Sequence, residues 1–194
     1  MPKIPILPEV HVQKFLSLEK GHPLNVTELS LPCHAGTHVD APAHFVAGGT
    51  TVDHLPLESL LGPAVVLDLP DRDVIRPADL AAVEVPAAHH VLLKTRNSAL
   101  LRGARFVETY CHLAPEAAAW LCERRPRSLG FDYYSLDPIA ADDFPAHTIA
   151  ARADVPVFVC LALAEVPAGR YTFLGLPLPL VAAEAAPVRA LLMS

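Results

Sequence analysis

Cys33-His34-Ala35-Gly36-Thr37-His38-Val39-Asp40-Ala41-Pro42-Ala43-His44-Phe45 places three histidines and one aspartate within eleven consecutive positions. Imidazole nitrogen and carboxylate oxygen are donors that divalent zinc or manganese accepts, and His34, His38 and Asp40 supply three of them. On a helix, His34 and His38 share a face and leave Asp40 off it. On a strand, His34, His38, Asp40 and His44 all point the same way, because all are even-numbered. A straight strand would hold His34 about 13 Å from His38, too far for one ion. The backbone must therefore bend, and Gly36 and Pro42 permit it. The reading is an extended segment in which His38 and Asp40 chelate as an i, i+2 pair. His34 swings in across a turn at Gly36, and His44 is left over as a proton carrier. A lone histidine is usually a turn cap or a satisfied structural group; four such groups on one face point to chemistry. A three-ligand site with an open position predicts hydrolysis, or another carbonyl-centred reaction, at an amide or ester.

Outward from this segment, 194 residues suffice for one domain with a real core, spanning 1–194. Hydrophobic residues make up 52% and charged residues 19%, which fits a globular chain and argues against disorder. A formal charge of −6 without any Lys/Arg run excludes a nucleic-acid or anionic-membrane partner as an expectation. The longest apolar runs, such as Val155 to Ala164, are half a membrane span. No leader pattern opens the chain, and Cys33, Cys111, Cys122 and Cys160 form no CxxC pair, so reduced thiols and a cytoplasmic location are expected. A mean hydropathy of +0.34 favours a buried subunit interface, hence a homodimer or homotetramer.

Buried strands are expected at Ala64–Leu69, Val91–Thr95, Ser128–Asp132, Val155–Leu163, Tyr171–Leu174 and Val188–Met193. Proline-initiated helices are expected at Pro77–Leu80 and Pro115–Arg125, with a third at Ala146–Ala153. Strands interleaved with helices imply an α/β domain: a mixed β-sheet core with flanking helices. His11, His22, His54, His89 and His90 have no comparable neighbours and read as structural or surface groups.

The segment from His34 to Phe45 resembles the signature of the metal-dependent cyclase family, which includes bacterial kynurenine formamidase, isatin hydrolase and certain polyketide cyclases. Further matches are Val91–Thr95, the helix Leu113-Ala-Pro-Glu-Ala-Ala-Ala-Trp-Leu121, Gly130-Phe-Asp132-Tyr-Tyr-Ser135-Leu-Asp137-Pro, Phe144-Pro-Ala-His147, and Glu165–Gly169 with Leu176–Leu178. The resemblance runs from about residue 25 to the C-terminus and implies the family's swivelling β/α/β fold. It also implies His34, His38 and Asp40 as metal ligands, His44 as the catalytic histidine and His147 as ligand to a second metal.

Two departures matter. Two-metal members carry a bridging glutamate twelve residues after the His147 position, where this chain has Val159. Two dications need shared negative charge to sit close together, so one zinc or manganese ion per chain is expected. Cys160, adjacent to Val159, should point to the opposite face of a strand, and Glu165 should lie about 20 Å away. Residues 1–24 form an atypical N-terminal segment, which withholds the substrate's identity. His112 stands where the family has glycine; like the other isolated histidines it reads as structural or surface, with a place facing the pocket as the alternative. The expected function is a metal-dependent hydrolase of an amide, lactam or lactone on a small aromatic substrate. The alternatives are a polyketide-type cyclase that closes a ring without net hydrolysis, with a metal or with His44 and an apolar pocket alone, and a catalytically inactive binding protein.

Overall fold

The computed structural model describes residues 4–103 and 105–194. In chain order the strands are β1 (His11–Leu16), β2 (Val26–Ser30), β3 (His38–Asp40), β4 (Leu61–Leu69), β5 (Val74–Ile75), β6 (His90–Thr95), β7 (His112–Leu113), β8 (Ser128–Phe131), β9 (Val157–Val159), β10 (Gly169–Pro177) and β11 (Ala185–Met193). The helices are α1 (Pro77–Ala81), α2 (Asn97–Leu101), α3 (Pro115–Cys122) and α4 (Pro145–Arg152). Seven strands close into a barrel in the order β10-β11-β3-β9-β8-β6-β4, with β1–β2 and β5–β7 as separate two-stranded sheets. Pairing is parallel for β4–β6, β6–β8 and β8–β9 and antiparallel around the rest, so the expected mixed α/β core is observed, closed on itself.

Side-chain alternation divides the core in two. Val39, Ala64, Val66, Leu92, Phe158, Phe173 and Ala186 fill the barrel. Their neighbours Val65, Leu67, Val91, Leu93, Leu129, Phe131, Val157 and Val159 point outward into a second cluster with Leu80 of α1, Ala117 and Leu121 of α3, and Ala146 and Ala150 of α4. Gly130 has to be glycine, because a Cβ there would collide with Leu92 and Leu161 inside the barrel. No helix of the described residues is long and apolar enough to cross a membrane.

Several boundaries differ from the sequence reading for local reasons. The β9 strand stops at Val159, because Cys160 adopts φ 55° and turns the chain out of the sheet. The α3 helix ends at Cys122, and Arg125 takes a left-handed φ of 50°. The α2 helix was not expected; Asp132 holds its start by accepting the Ser98 backbone N–H at 3.0 Å and the Ser98 hydroxyl at 2.6 Å. The β1–β2 hairpin was also missed. Residues 1–3 of the atypical N-terminal segment lie outside the described residues.

His90, at the start of β6, is fully buried and pairs through Nδ1 with Ser128 Oγ at 2.7 Å. Burial pushes its pKa down to about 4 from the ordinary 6.5. The folded state therefore prefers neutral His90, while the unfolded chain protonates near pH 6.5. This contribution is complete above about pH 6.5 and is lost as pH falls to about 4, up to about 3 kcal/mol in all. Urea unfolding of wild type and His90→Gln across that window should show the flatter pH profile in the variant; parallel profiles would refute the assignment.

Candidate metal centre

The β3 strand puts His38 and Asp40 on the outside of the barrel while Val39 points in. Gly36 adopts φ 67°, and this left-handed bend brings His34 back beside them, as the spacing requires. Three donor atoms converge: His34 Nδ1 lies 3.2 Å from His38 Nε2 and 2.9 Å from Asp40 Oδ1, and His38 Nε2 lies 3.3 Å from Asp40 Oδ1. A tetrahedral ion with bonds of about 2.0–2.1 Å spaces its donors about 3.3 Å apart. The triangle is close to that size.

Asp40 Oδ1 is buried and accepts no hydrogen bond among the described residues, despite the two imidazole nitrogens beside it. An orphaned carboxylate oxygen facing converging nitrogens is costly without a cation. Burial would raise the Asp40 carboxyl; His38 and His34 outweigh it and hold the group well below the usual carboxylate range. Burial works against charge on His34, yet Asp40 and Glu184 raise its pKa above ordinary imidazole. The donor set His34, His38 and Asp40 fits a divalent metal ion.

The outer nitrogens explain the inward aim. His38 donates from Nδ1 to the Gly36 carbonyl at 2.8 Å, which leaves Nε2 bare toward Asp40. His34 Nε2 meets the Glu184 carboxylate at 3.2 Å. His147, on the first turn of α4, donates from Nδ1 to Asp137 Oδ2 at 2.7 Å. Asp137 also accepts the Ala146 and His147 backbone N–H groups at 2.7 and 3.0 Å, so one buried carboxylate caps α4 and fixes the His147 tautomer. The sequence reading quoted Asp137 within a motif and gave it no role, and it did not single out Glu184. Glu184 is 150 residues from His34, a distance no local pattern bridges.

His147 Nε2 lies 3.8 Å from Asp40 Oδ2, the oxygen away from the triangle, so His147 stands outside the three-donor group. Val159 pairs in register with His38 and is fully buried on the same outer face. A carboxylate at Val159 would sit across the strand pair from His38; the valine leaves that place apolar. Glu165 is exposed and ion-paired with Arg102, and does not belong to the His34–His38–Asp40 group. One expectation is corrected. Cys160 does not turn to the opposite side from Val159; its φ of 55° brings it into the same outer cluster, where burial and then Asp40 raise its thiol pKa. His112 belongs to β7, its backbone bonded to Asp73, and is not among the residues that line the cavity, in line with its structural reading.

A cavity of about 230 Å³ opens over the triangle, lined by His34, His38, Asp40, His44, Ser135 and His147 and walled by Ile4, Ile6, Leu7, Phe45, Tyr134 and Phe144. His44 ends the 3-10 turn Pro42–His44, its ring centroid 4.3 Å from that of His34 and 4.2 Å from that of Phe45. It remains open to solvent on the cavity rim, while the protein packed around it lowers its pKa below ordinary imidazole. Phe45 in turn stacks on His147 at 5.0 Å. Phe144, whose ring joins the wall, takes a left-handed φ of 45° immediately before Pro145.

Fold and site together describe a class of α/β proteins in which one short barrel strand presents a His-His-Asp group to a small, aromatic-walled cavity. The chain belongs to the Cyclase family, whose profile matches residues 2–138. It is 36% identical over 171 residues to the kynurenine formamidase of Bordetella avium strain 197N, covering 88% of this chain and 81% of that protein. A solved structure described as a predicted metal-dependent hydrolase from Bacillus stearothermophilus superposes with a TM-score of 0.85 at 32% identity, covering 99% of this chain and 91% of the other. Isatin hydrolase A from Labrenzia aggregata shares the fold, with a TM-score of 0.84 at 24% identity over 99% of this chain and 87% of that one.

Proposed function

We propose that this chain is a one-metal hydrolase that cleaves the amide of a small aromatic substrate, in the manner of an arylformamidase. The observation that carries the proposal is the orphaned Asp40 Oδ1 within the donor triangle of His34 and His38. The 36% identity to a kynurenine formamidase supports an aryl amide as substrate. The metal reading extends to zinc or manganese, with one ion per chain because Val159 supplies no bridging charge beside His38. His147 would then serve as a wall of the cavity, with no second ion to hold.

The volume favours a single ring. A cavity of about 150 Å³ holds benzene, and the chamber here is about 230 Å³. Phe45, Tyr134 and Phe144 offer ring faces and edges to such a substrate. Ring closure on a multi-ring polyketide needs more room, so the cavity favours hydrolysis over cyclisation.

A divalent ion at the triangle supplies Lewis acidity, which acidifies water and polarises the amide carbonyl. His34, His38 and Asp40 would hold that ion, with His38 fixed by the Gly36 carbonyl and His34 by the Glu184 carboxylate. Exclusion of bulk water falls to Ile4, Leu7, Phe45 and Phe144. With its pKa lowered, His44 is neutral at pH 7, so a ring nitrogen can take the proton released when water adds to the carbonyl carbon. The same nitrogen returns that proton to the departing amine as the C–N bond breaks, leaving a carboxylic acid and a free aryl amine.

His44→Ala should lower kcat on N-formyl anilides by roughly 10²–10⁴-fold while the metal content stays at the wild-type value. Steady-state kinetics paired with elemental analysis reads both. Unchanged turnover in the variant, or a wild type loaded with zinc or manganese that cleaves no aryl amide, would refute the proposal.

A further inference from the structure

Of the four tyrosines in the chain, three use their hydroxyl inside the fold. Tyr110 donates to the Asp137 carbonyl at 2.6 Å, Tyr133 to the Val107 carbonyl at 2.9 Å, and Tyr171 to the Pro167 carbonyl at 3.0 Å. Tyr134 is the exception. It is only 8% exposed, yet its hydroxyl has no hydrogen-bond partner among the described residues. A buried phenol normally finds one, because without it the group forfeits the hydrogen bond it made to water.

Tyr134 is also the tyrosine that lines the cavity over His34, His38 and Asp40. The chain on either side of it is fixed. Before it stands Asp132, which accepts four hydrogen bonds; after it comes Ser135, whose Oγ accepts the Asp137 N–H at 3.1 Å. Its ring meets Phe106 and Tyr133 edge-on, with centroids 5.3 and 4.9 Å apart. Packing on those sides holds the ring and leaves the cavity as the side from which a partner arrives. Burial raises the phenol pKa above its ordinary 10, so the hydroxyl keeps its hydrogen and acts as a donor.

The other polar groups of the cavity already have tasks. His34, His38 and Asp40 converge on one another as the donor triangle. His147 gives its Nδ1 hydrogen to Asp137, and Ser135 is engaged by the Asp137 N–H and the Tyr110 hydroxyl. His44 carries the proton. One donor is left, and the substrate atom that gains negative charge as water adds is the carbonyl oxygen.

We propose that Tyr134 is a catalytic residue of this site, donating its hydroxyl hydrogen to the amide oxygen of the aryl substrate. The assignment rests on the hydrolase reading above and adds to it the side chain that holds the carbonyl oxygen. As the water oxygen bonds to the carbonyl carbon, the C=O π pair moves onto oxygen, and the Tyr134 hydrogen bond strengthens while the tyrosine keeps its proton. When the C–N bond breaks, that pair re-forms C=O. The nitrogen leaves with the C–N pair and takes the proton that His44 carries. A fixed donor aimed where charge develops needs no reorganisation at the moment of reaction.

Tyr134→Phe removes the hydroxyl and keeps the ring. On formanilide, kcat should fall by roughly 10²–10³-fold, while KM changes by no more than about tenfold. The hydroxyl bonds nothing in the fold, so Tm should not fall. Phenylurea carries the same ring and carbonyl and resists hydrolysis; N-ethylaniline has the same frame without the oxygen. Titration calorimetry should show the variant binding phenylurea roughly 3–10-fold more weakly than wild type and N-ethylaniline equally well. Full turnover by the variant overturns the assignment, as does an equal loss of both ligands, or a lowered Tm with unchanged kinetics. A wild type that cleaves no aryl amide sinks the hydrolase reading and the catalytic step with it. Loss of phenylurea selectivity in the variant would then still place Tyr134 on a carbonyl oxygen, whereas unchanged phenylurea affinity refutes that contact outright.

Discussion

Asp40→Asn should abolish measurable metal binding and lower kcat/KM on aryl amides by about 10³-fold or more, about 4 kcal/mol of transition-state stabilisation. The substitution conserves volume, so the effect is electrostatic. Asp40 is the only carboxylate in the triangle, and its Oδ1 lies 2.9 and 3.3 Å from the two histidine nitrogens. An amide at that position brings no charge to offset a dication, and its NH₂ group presents hydrogens to the centre in one of its two orientations. Isothermal titration with zinc or manganese, followed by kinetics on the same samples, reads both effects. A variant that binds the ion with wild-type affinity would show that the triangle is not the ligand set.

Asp132→Ala should be the most damaging single change to the fold. Asp132 is fully buried and accepts four hydrogen bonds: Thr95 N at 2.6 Å, Thr95 Oγ1 at 2.9 Å, Ser98 N at 3.0 Å and Ser98 Oγ at 2.6 Å. It ties the end of β6 to the start of α2. Burial raises its carboxyl pKa, against the pull of those donors. Removing it leaves four buried donors without a partner, at a cost of about 4 kcal/mol. For a chain of this length that corresponds to a fall in Tm of roughly 10 °C. Calorimetry checks it, and a shift of less than about 2 °C would contradict the role assigned to the network.

The site was more legible in the sequence than the fold. His34, His38 and Asp40 lie within seven positions, and strand parity with a glycine bend suffices to bring them together. Val159 was also legible, by counting from His147, and its register opposite His38 gives the count a structural meaning. Asp137 and Glu184 were not legible as partners, because each acts across a fold that the spacing of residues does not encode. Most buried strands were recognised from β-branched runs. Closure of the barrel was not, since it depends on β10 pairing with β4 more than a hundred residues away. The β1–β2 hairpin escaped because its strands lack the alternation of a half-buried sheet: nearly every residue is exposed. Cys160 shows the limit of parity arguments, which hold only while the chain stays in the sheet. One left-handed residue was enough to reverse the expected side.

The proposed single-ion centre rests on Asp40 Oδ1 joining His34 and His38 while Val159 leaves the neighbouring place without charge. Elemental analysis of the chain purified with zinc or manganese, normalised to protein by amino-acid analysis, tests it most directly. One ion per chain, lost in Asp40→Asn, is the result this structure predicts; two tightly held ions per chain would contradict it.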